Sequence, residues 1–290
     1  DDIVLPNALH ACFLRSPHAH ARITAIDTTQ AFLMPGVVAV YTGQDLAQWT
    51  ARHRMAPPID GLKAMEMDTL PIHKVRFQGD PVACVIATNR YLAEDAVEAV
   101  EVNWEVLPAV ISMVQAMRPG ASLVDDALRD NLLSHQQAVH GDPASAMATA
   151  HRVVTSTFSQ HRQTHLPIET RGCIADWDAG REHLNFHVGT QAPHPYRTAL
   201  AARLLLPESK VTVMSPDVGG GFGQKIALYR EELTVAAASI QLGRPVRWRE
   251  DRMENLMASA HAREDFCQTR VAVDGEGRVL ALEPEITEDF

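Results

Sequence analysis

A chain of 290 residues with 46% hydrophobic and 21% charged side chains has room for two ordinary domains and a sizeable core. Its net charge of −10 argues against a nucleic-acid or anionic-membrane partner, because the long-range field repels both. The opening "DDIVLPNALHACF" lacks a cationic segment followed by an apolar core, and no later run approaches the roughly 18 apolar residues of a membrane span. The chain therefore reads as cytoplasmic. The missing initiating Met and the strand-like final "ITEDF" suggest a piece of something longer, or a naturally split subunit.

From Leu9 to about Pro108, short β-branched runs alternate with helical stretches: "RITAIDT", "GVVAVYTG", "PVACVIATN", the helix "RYLAEDAVEAV", then "EVNWEVL". Asn89 is the expected cap of that helix, with Glu94 and Asp95 near its positive end. The next stretch has weak periodicity and Pro/Gly punctuation. It is read as a linker over 116–143, between a domain at 1–115 and another at 144–290.

In the second domain, "DPASAMATAHRVVTSTFSQHR" predicts a short helix and a strand, and "GCIADWDAGREHLNFHVGTQ" predicts a hairpin turning at "DAGRE". "HPYRTALAARLLL" has helical spacing, and "ESKVTVMSPDVGGGFGQK" is a strand running into a glycine loop. "EELTVAAASIQLG" predicts a helix with Gly243 at its C-terminal cap. "RPVRWREDR" is a strand, and "TRVAVDGEGRVLALEPEI" a hairpin turning at "DGEG". The elements together make an α+β chain.

The glycine loop fails both nucleotide tests. Gly219 and Gly221 fit the first and third places of the dinucleotide fingerprint, but the sixth is Gln224. The Walker A pattern fails because Gln224 precedes Lys225 and Ile226 follows it. Physically, the four glycines free the backbone for positive φ and let main-chain N–H groups approach a bulky ligand, with Phe222 as an aromatic wall. A plain turn from strand to helix remains the alternative.

Cys12, Cys84, Cys173 and Cys267 form no CxxC pair, and His18/His20 and His161/His165 lack companions at ligand spacing. Neither zinc nor a locally built iron–sulfur site is suggested.

Several stretches in order carry a resemblance: "RSPHAHARITAIDT", "PGVVAVYTGQDL", "VRFQGDPVACVIATNRYLAEDAVEAVEVNWEVLPAV", "LPIETRGCIADWD", "TQAPHPYR", "SPDVGGGFGQK" and "RPVRWREDRMENLMASAHARE". Across almost its whole length the chain resembles the molybdopterin-binding large subunit of the xanthine oxidase family of molybdenum hydroxylases. The aerobic carbon monoxide dehydrogenase and aldehyde oxidase-like branch is the nearest in pattern, and the resemblance covers the N-terminal portion of that subunit.

The resemblance implies an α/β hammerhead-like domain followed by the first part of a mixed α/β molybdopterin-binding domain. It implies an enzyme that oxidises an aldehyde, an N-heterocycle or carbon monoxide with oxygen derived from water. The cofactor is molybdenum with molybdopterin, in plain or cytosine dinucleotide form. Electrons pass to [2Fe–2S] and FAD groups on partner subunits, and a further chain or segment carries the rest of the molybdenum domain. A non-catalytic binding or assembly subunit that keeps the fold is the alternative.

Residue by residue, the resemblance assigns cofactor binding to Gln191, Gly220, Gly221, Phe222 and Gly223. Gln191 and Phe222 are expected to touch the ligands of molybdenum rather than the metal itself. On its own, Gln191 reads as a cap of the helix beginning near Pro195. Ile226 stands where purine-oxidising members carry a Glu, which turns the expected substrate away from purines. Glu169 and Arg171 are expected to form a buried polar pair, and Glu250, Asp251, Arg252 and Glu254 a structural charge cluster. The catalytic base of the family lies beyond the residues present, so no carboxylate is nominated for it.

Overall fold

The computed structural model describes residues 3–55, 61–63 and 65–289. Asp1, Asp2 and Phe290, which belong to the opening and closing stretches read above, lie outside the described residues. In chain order the elements begin with β1 (Leu9–Arg15), β2 (Ala21–Asp27), α1 (Thr29–Leu33), β3 (Val37–Thr42) and α2 (Gly43–Leu46). Then come β4 (His53–Met55), β5 (Met65–Met67), β6 (Lys74–Val75), β7 (Pro81–Ala87), α3 (Arg90–Val97) and β8 (Glu101–Val106). They continue with α4 (Met113–Ala116), α5 (Pro143–Thr149), β9 (Arg152–Gln160), β10 (Gly172–Asp178), β11 (His183–Val188) and α6 (Pro193–Arg203). The last are β12 (Val211–Met214), α7 (Arg230–Leu242), β13 (Val246–Arg249), α8 (Arg252–Ala258), β14 (Asp265–Val273) and β15 (Val279–Glu288).

Two compact units result. The first gathers residues 1–56, 64–109 and 165–260, and the second gathers 57–63, 110–164 and 261–290. In the first unit, among the described residues, a seven-stranded sheet runs in the order β12-β11-β10-β13-β1-β7-β3. It takes strands from both sides of the stretch read as a linker. Strand β7, "PVACVIA", is buried along its whole length because both faces of the sheet are covered there. Cys84 and Ile86 join the large core with Leu200 and Ala201 of α6 and Leu233 and Val235–Ala238 of α7. Ala83 and Val85, alternating with them, meet Ala31 of α1 and Ala96 of α3 in a separate cluster.

Local chemistry follows the expected rules at several ends. The Asn89 side chain accepts from the Leu92 N–H and caps α3. Glu94 lies beyond the first turn and pairs with Arg90 one turn back. Gly243 closes α7 with φ +60, a left-handed cap that glycine adopts without strain.

The second unit holds an antiparallel sheet in the order β15-β14-β9, against which α5 packs. Asp142 caps α5 by accepting from the Ser145 N–H, and the hairpin turn at Asp274–Gly277 joins β14 to β15 as expected.

Candidate cofactor site

Two strands aim the site. Strands β11 and β12 pair in parallel, from Leu184 with Val211 to His187 with Met214. Parallel pairing makes both chains leave the sheet at the same end, so the segment after β11 and the glycine loop after β12 emerge side by side. Ser215 joins them: its Oγ accepts from Thr190 N–H at 3.2 Å and donates to Thr190 O at 3.0 Å.

Gln191 lies in the first of these segments and is exposed. It does not cap α6, whose N-cap is Ala192 with no side-chain bond. Instead its Oε1 accepts from the Gly223 N–H at 3.0 Å and the Lys225 N–H at 3.3 Å, while its own N–H donates to Lys225 O at 2.9 Å. Two main-chain donors facing one side-chain oxygen fix which end of the amide is which. The Nε2 group makes no hydrogen bond within the described residues.

The loop's glycines are required by close approach. A Cβ on Gly221 would fall 2.3 Å from Gln191 Oε1, and a Cβ on Gly219 would fall 2.6 Å from Glu169 Cβ. Phe222 is 69% exposed and takes φ +53, a left-handed conformation that costs a non-glycine residue about 1 kcal/mol. The ring lies over Gly220, where a Cβ would come within 3.0 Å of Phe222 Cε2. Phe222 is thus no core residue. The N–H groups of Gly221 and Phe222 accompany it without a partner among the described residues, two successive free donors beside the free Gln191 amide.

The expected Glu169–Arg171 pair does not form. Glu169 precedes β10 and turns to the loop, accepting from Lys225 Nζ at 2.6 Å and Gly219 N–H at 2.8 Å. Burial pushes its carboxyl up, but the Lys225 ammonium and the Gly219 N–H outweigh this and hold it below the ordinary value. Arg171 enters the core, where its Nη2 meets Glu250 Oε1 at 2.6 Å and Glu231 Oε1 at 3.3 Å. Burial opposes the Arg171 charge, and Glu231 and Glu250 more than offset it, raising its pKa. The guanidinium also stacks on Tyr229, 3.7 Å from the ring centre.

This network underlies the loop. Asn255 Nδ2 donates to Glu250 Oε2 at 2.7 Å and to Gln224 Oε1 at 3.0 Å, and Tyr229 Oη donates to Gln224 O at 2.7 Å. Glu231 receives Arg15 at 2.8 Å. The charge cluster expected of Glu250, Asp251, Arg252 and Glu254 divides accordingly. Glu250 is buried in the network, while Asp251 and Glu254 form the capping box of α8. Arg252 donates to Pro167 O and Ile168 O.

Glu231, Lys225 and the loop-facing role of Glu169 were not apparent from the sequence. The signal available was weak: two adjacent acids, Glu231 and Glu232, opening a helix whose next residues are apolar.

The chain matches the Molybdopterin cofactor-binding domain family over residues 124–290 and the Aldehyde oxidase and xanthine dehydrogenase, a/b hammerhead domain family over residues 1–108. It belongs to the xanthine oxidase family of molybdenum hydroxylases. The nicotine 6-hydroxylase large subunit of Paenarthrobacter nicotinovorans is 40% identical over 97% of the chain and 34% of its own length. The carbon monoxide dehydrogenase large chain of Afipia carboxidovorans is 39% identical over 100% of the chain and 37% of its own length. The crystal structure of quinoline 2-oxidoreductase from Pseudomonas putida 86 superimposes with a TM-score of 0.93 at 39% identity, over 98% of the chain and 36% of that protein.

The chain therefore spans about a third of the relatives it matches. The fold is the mixed α and β architecture of molybdenum-hydroxylase large subunits, with a hammerhead and a molybdopterin-binding part. Among the described residues, no helix is long and apolar enough to cross a membrane.

The residues at the loop fit a molybdopterin group by their donor chemistry. A cofactor rich in oxygen and sulfur acceptors needs donors, and the Gln191 amide NH2 and the Gly221 and Phe222 N–H groups are donors left unused inside the protein.

Proposed function

We propose that the chain forms part of the cofactor pocket of a molybdenum hydroxylase that oxidises an aldehyde, an N-heterocycle or carbon monoxide. Electrons leave to [2Fe–2S] and FAD groups on partner subunits, and a further segment or chain completes the molybdenum domain. The reading places it in the cytoplasm, with a hammerhead-like domain at 1–115, a linker at 116–143 and the first part of the molybdopterin domain at 144–290.

One observation carries this reading: Gln191 is held by its oxygen to the glycine loop, so its NH2 is the group left to a ligand. When bound, the molybdenum–molybdopterin group, as such or as its cytosine dinucleotide, supplies the two-electron redox chemistry. The residues of the chain then have separable tasks. Gln191 donates from Nε2 to a ligand of the metal, Gly220, Gly221 and Gly223 let the main chain come close, and Phe222 screens the site from water. Ile226, half-exposed beside the loop, offers no hydrogen bond, which suits an apolar or small substrate better than a purine.

The test uses the native complex, isolated with its partner subunits, and elemental analysis for molybdenum. Molybdenum in stoichiometric amount is expected; its absence with all partner subunits present would leave the non-catalytic assembly role as the better account. Gln191→Ala is expected to lower turnover by about 10²-fold, the scale of one lost donor to a developing charge, with the melting temperature unchanged. Unchanged turnover removes Gln191 from the site.

A further inference from the structure

The amide of Gln191 acts as a donor only while its oxygen stays turned toward the loop, and the structure shows what keeps it there. The point rests on the cofactor role proposed for Gln191. Glu169 Oε2 accepts from Gly219 N–H at 2.8 Å and from Lys225 Nζ at 2.6 Å, and the Glu169 N–H donates to Gly219 O at 3.1 Å. One carboxylate oxygen thereby ties the first residue of the Gly219–Lys225 loop to the last.

Lys225 faces two ways. Its ammonium is buried, 2% exposed for the residue as a whole, and so needs a counter-charge, which Glu169 provides. Its main chain faces Gln191: the Lys225 N–H donates to Gln191 Oε1, and Lys225 O accepts from Gln191 N–H at 2.9 Å and Thr190 Oγ1 at 2.9 Å. Anchoring the ammonium therefore anchors the peptide that reads the glutamine. Without these donors a glutamine amide turns over at little cost and presents an acceptor where a donor is required.

We infer that Glu169 and Lys225 are a positioning pair that holds the Gln191 amide with its NH2 outward, by closing the Gly219–Lys225 loop at both ends. The pair touches neither substrate nor cofactor. The loop has other supports, through Gln224 to Asn255 and Tyr229, but these hold its underside and make no bond to Gln191.

The experiment is hydrogen exchange read by mass spectrometry on the native complex, with Glu169→Gln, Lys225→Met and the double variant. Glu169→Gln keeps the shape and removes the charge. Amide exchange over residues 219–226 is expected to rise about tenfold in each single variant, the size of one weakened charge-assisted bond, while α7 exchanges as before. In the same samples kcat falls about tenfold with KM nearly constant, and the electron paramagnetic resonance signal of molybdenum changes shape. The double variant is expected to be no worse than either single one. Loop exchange at the wild-type rate, or a double variant whose losses multiply, overturns the inference. Should Lys225→Met fail to fold, Glu169→Gln decides alone, since the Glu169 side chain is 47% exposed and the amide keeps an oxygen for Lys225 Nζ and the Gly219 N–H. Loss of the proposed function shows differently: molybdenum is then absent from the unaltered complex, and loop exchange still reports on the pair.

Discussion

Two sets of arginines and glutamates, one in each unit, do opposite work. In the first, Arg171, Glu250, Glu231 and Arg15 are packed away from water, with Asn255 and Ser259 donating to the Glu250 carboxylate. In the second, Arg270 of β14 faces Glu283 of β15 at 2.7 Å on an open strand pair, each about half exposed. The partners differ in sequence reach as well: Arg171 and Glu250 are 79 residues apart, Arg270 and Glu283 only 13. Burial rather than sequence distance decides the role, since Arg22 and Glu105 are 83 residues apart and yet half exposed. A charge opposite its neighbour on a hairpin mainly keeps a strand wet.

The comparison breaks most readily at Arg171. Arg171→Met leaves Glu250 buried without its cation, while Glu231 keeps Arg15, and the expected loss is about 3–5 kcal/mol in denaturant unfolding. A loss below about 1 kcal/mol would show that the buried network behaves like the surface one. Next comes Glu232, which shares the helix start with Glu231 but receives only neutral donors, Tyr196 Oη and the Tyr229 N–H, each within 2.9 Å. Burial raises its pKa from an ordinary 4.5 to about 7. The folded state holds that proton more tightly than the unfolded chain, so the contribution is complete below pH 4.5 and is lost as pH rises from 4.5 to about 7.

Glu231 runs the other way. Burial alone would raise it, but Arg171 and Arg15 hold it at about 2, so its contribution is present above pH 4.5 and is lost as pH falls toward 2. Melting temperature against pH should therefore fall from pH 4.5 to 7 in the parent. Glu232→Gln should flatten that limb and leave the acid limb in place. A parallel shift of the whole profile contradicts the assignment. The smallest effect is expected for Arg270→Ala, about 0.5 kcal/mol or less and diminished further by salt.

What could be read in advance followed local rules. Caps at Asn89 and Gly243, the turns at "DAGRE" and "DGEG", and the strand entering the glycine loop depend on neighbours a few residues away, and the structure has them. The four glycines marked a close approach, which at Gly221 is to Gln191 itself and at Gly219 is to Glu169. Pairings across the fold were hidden. Glu169 and Arg171 stand two apart just before β10 and invite pairing, yet one side chain goes to the loop and the other to the core. Nothing in the run "EDRMENL" separates Glu250, which is buried, from Asp251 and Glu254, which cap a helix.

The parallel pairing of β1 with β13, Leu9 against Val246, carries a consequence for how the chain comes into being. Strand β1 leaves the ribosome before β13, one of its two neighbours, which is made more than two hundred residues later. The intervening time leaves an apolar strand edge open, the kind of surface that pairs with the wrong chain. Production of this protein is therefore expected to depend on chaperone protection of nascent chains, and fragments ending before β13 should accumulate as aggregates, however well their own segments form helices and turns.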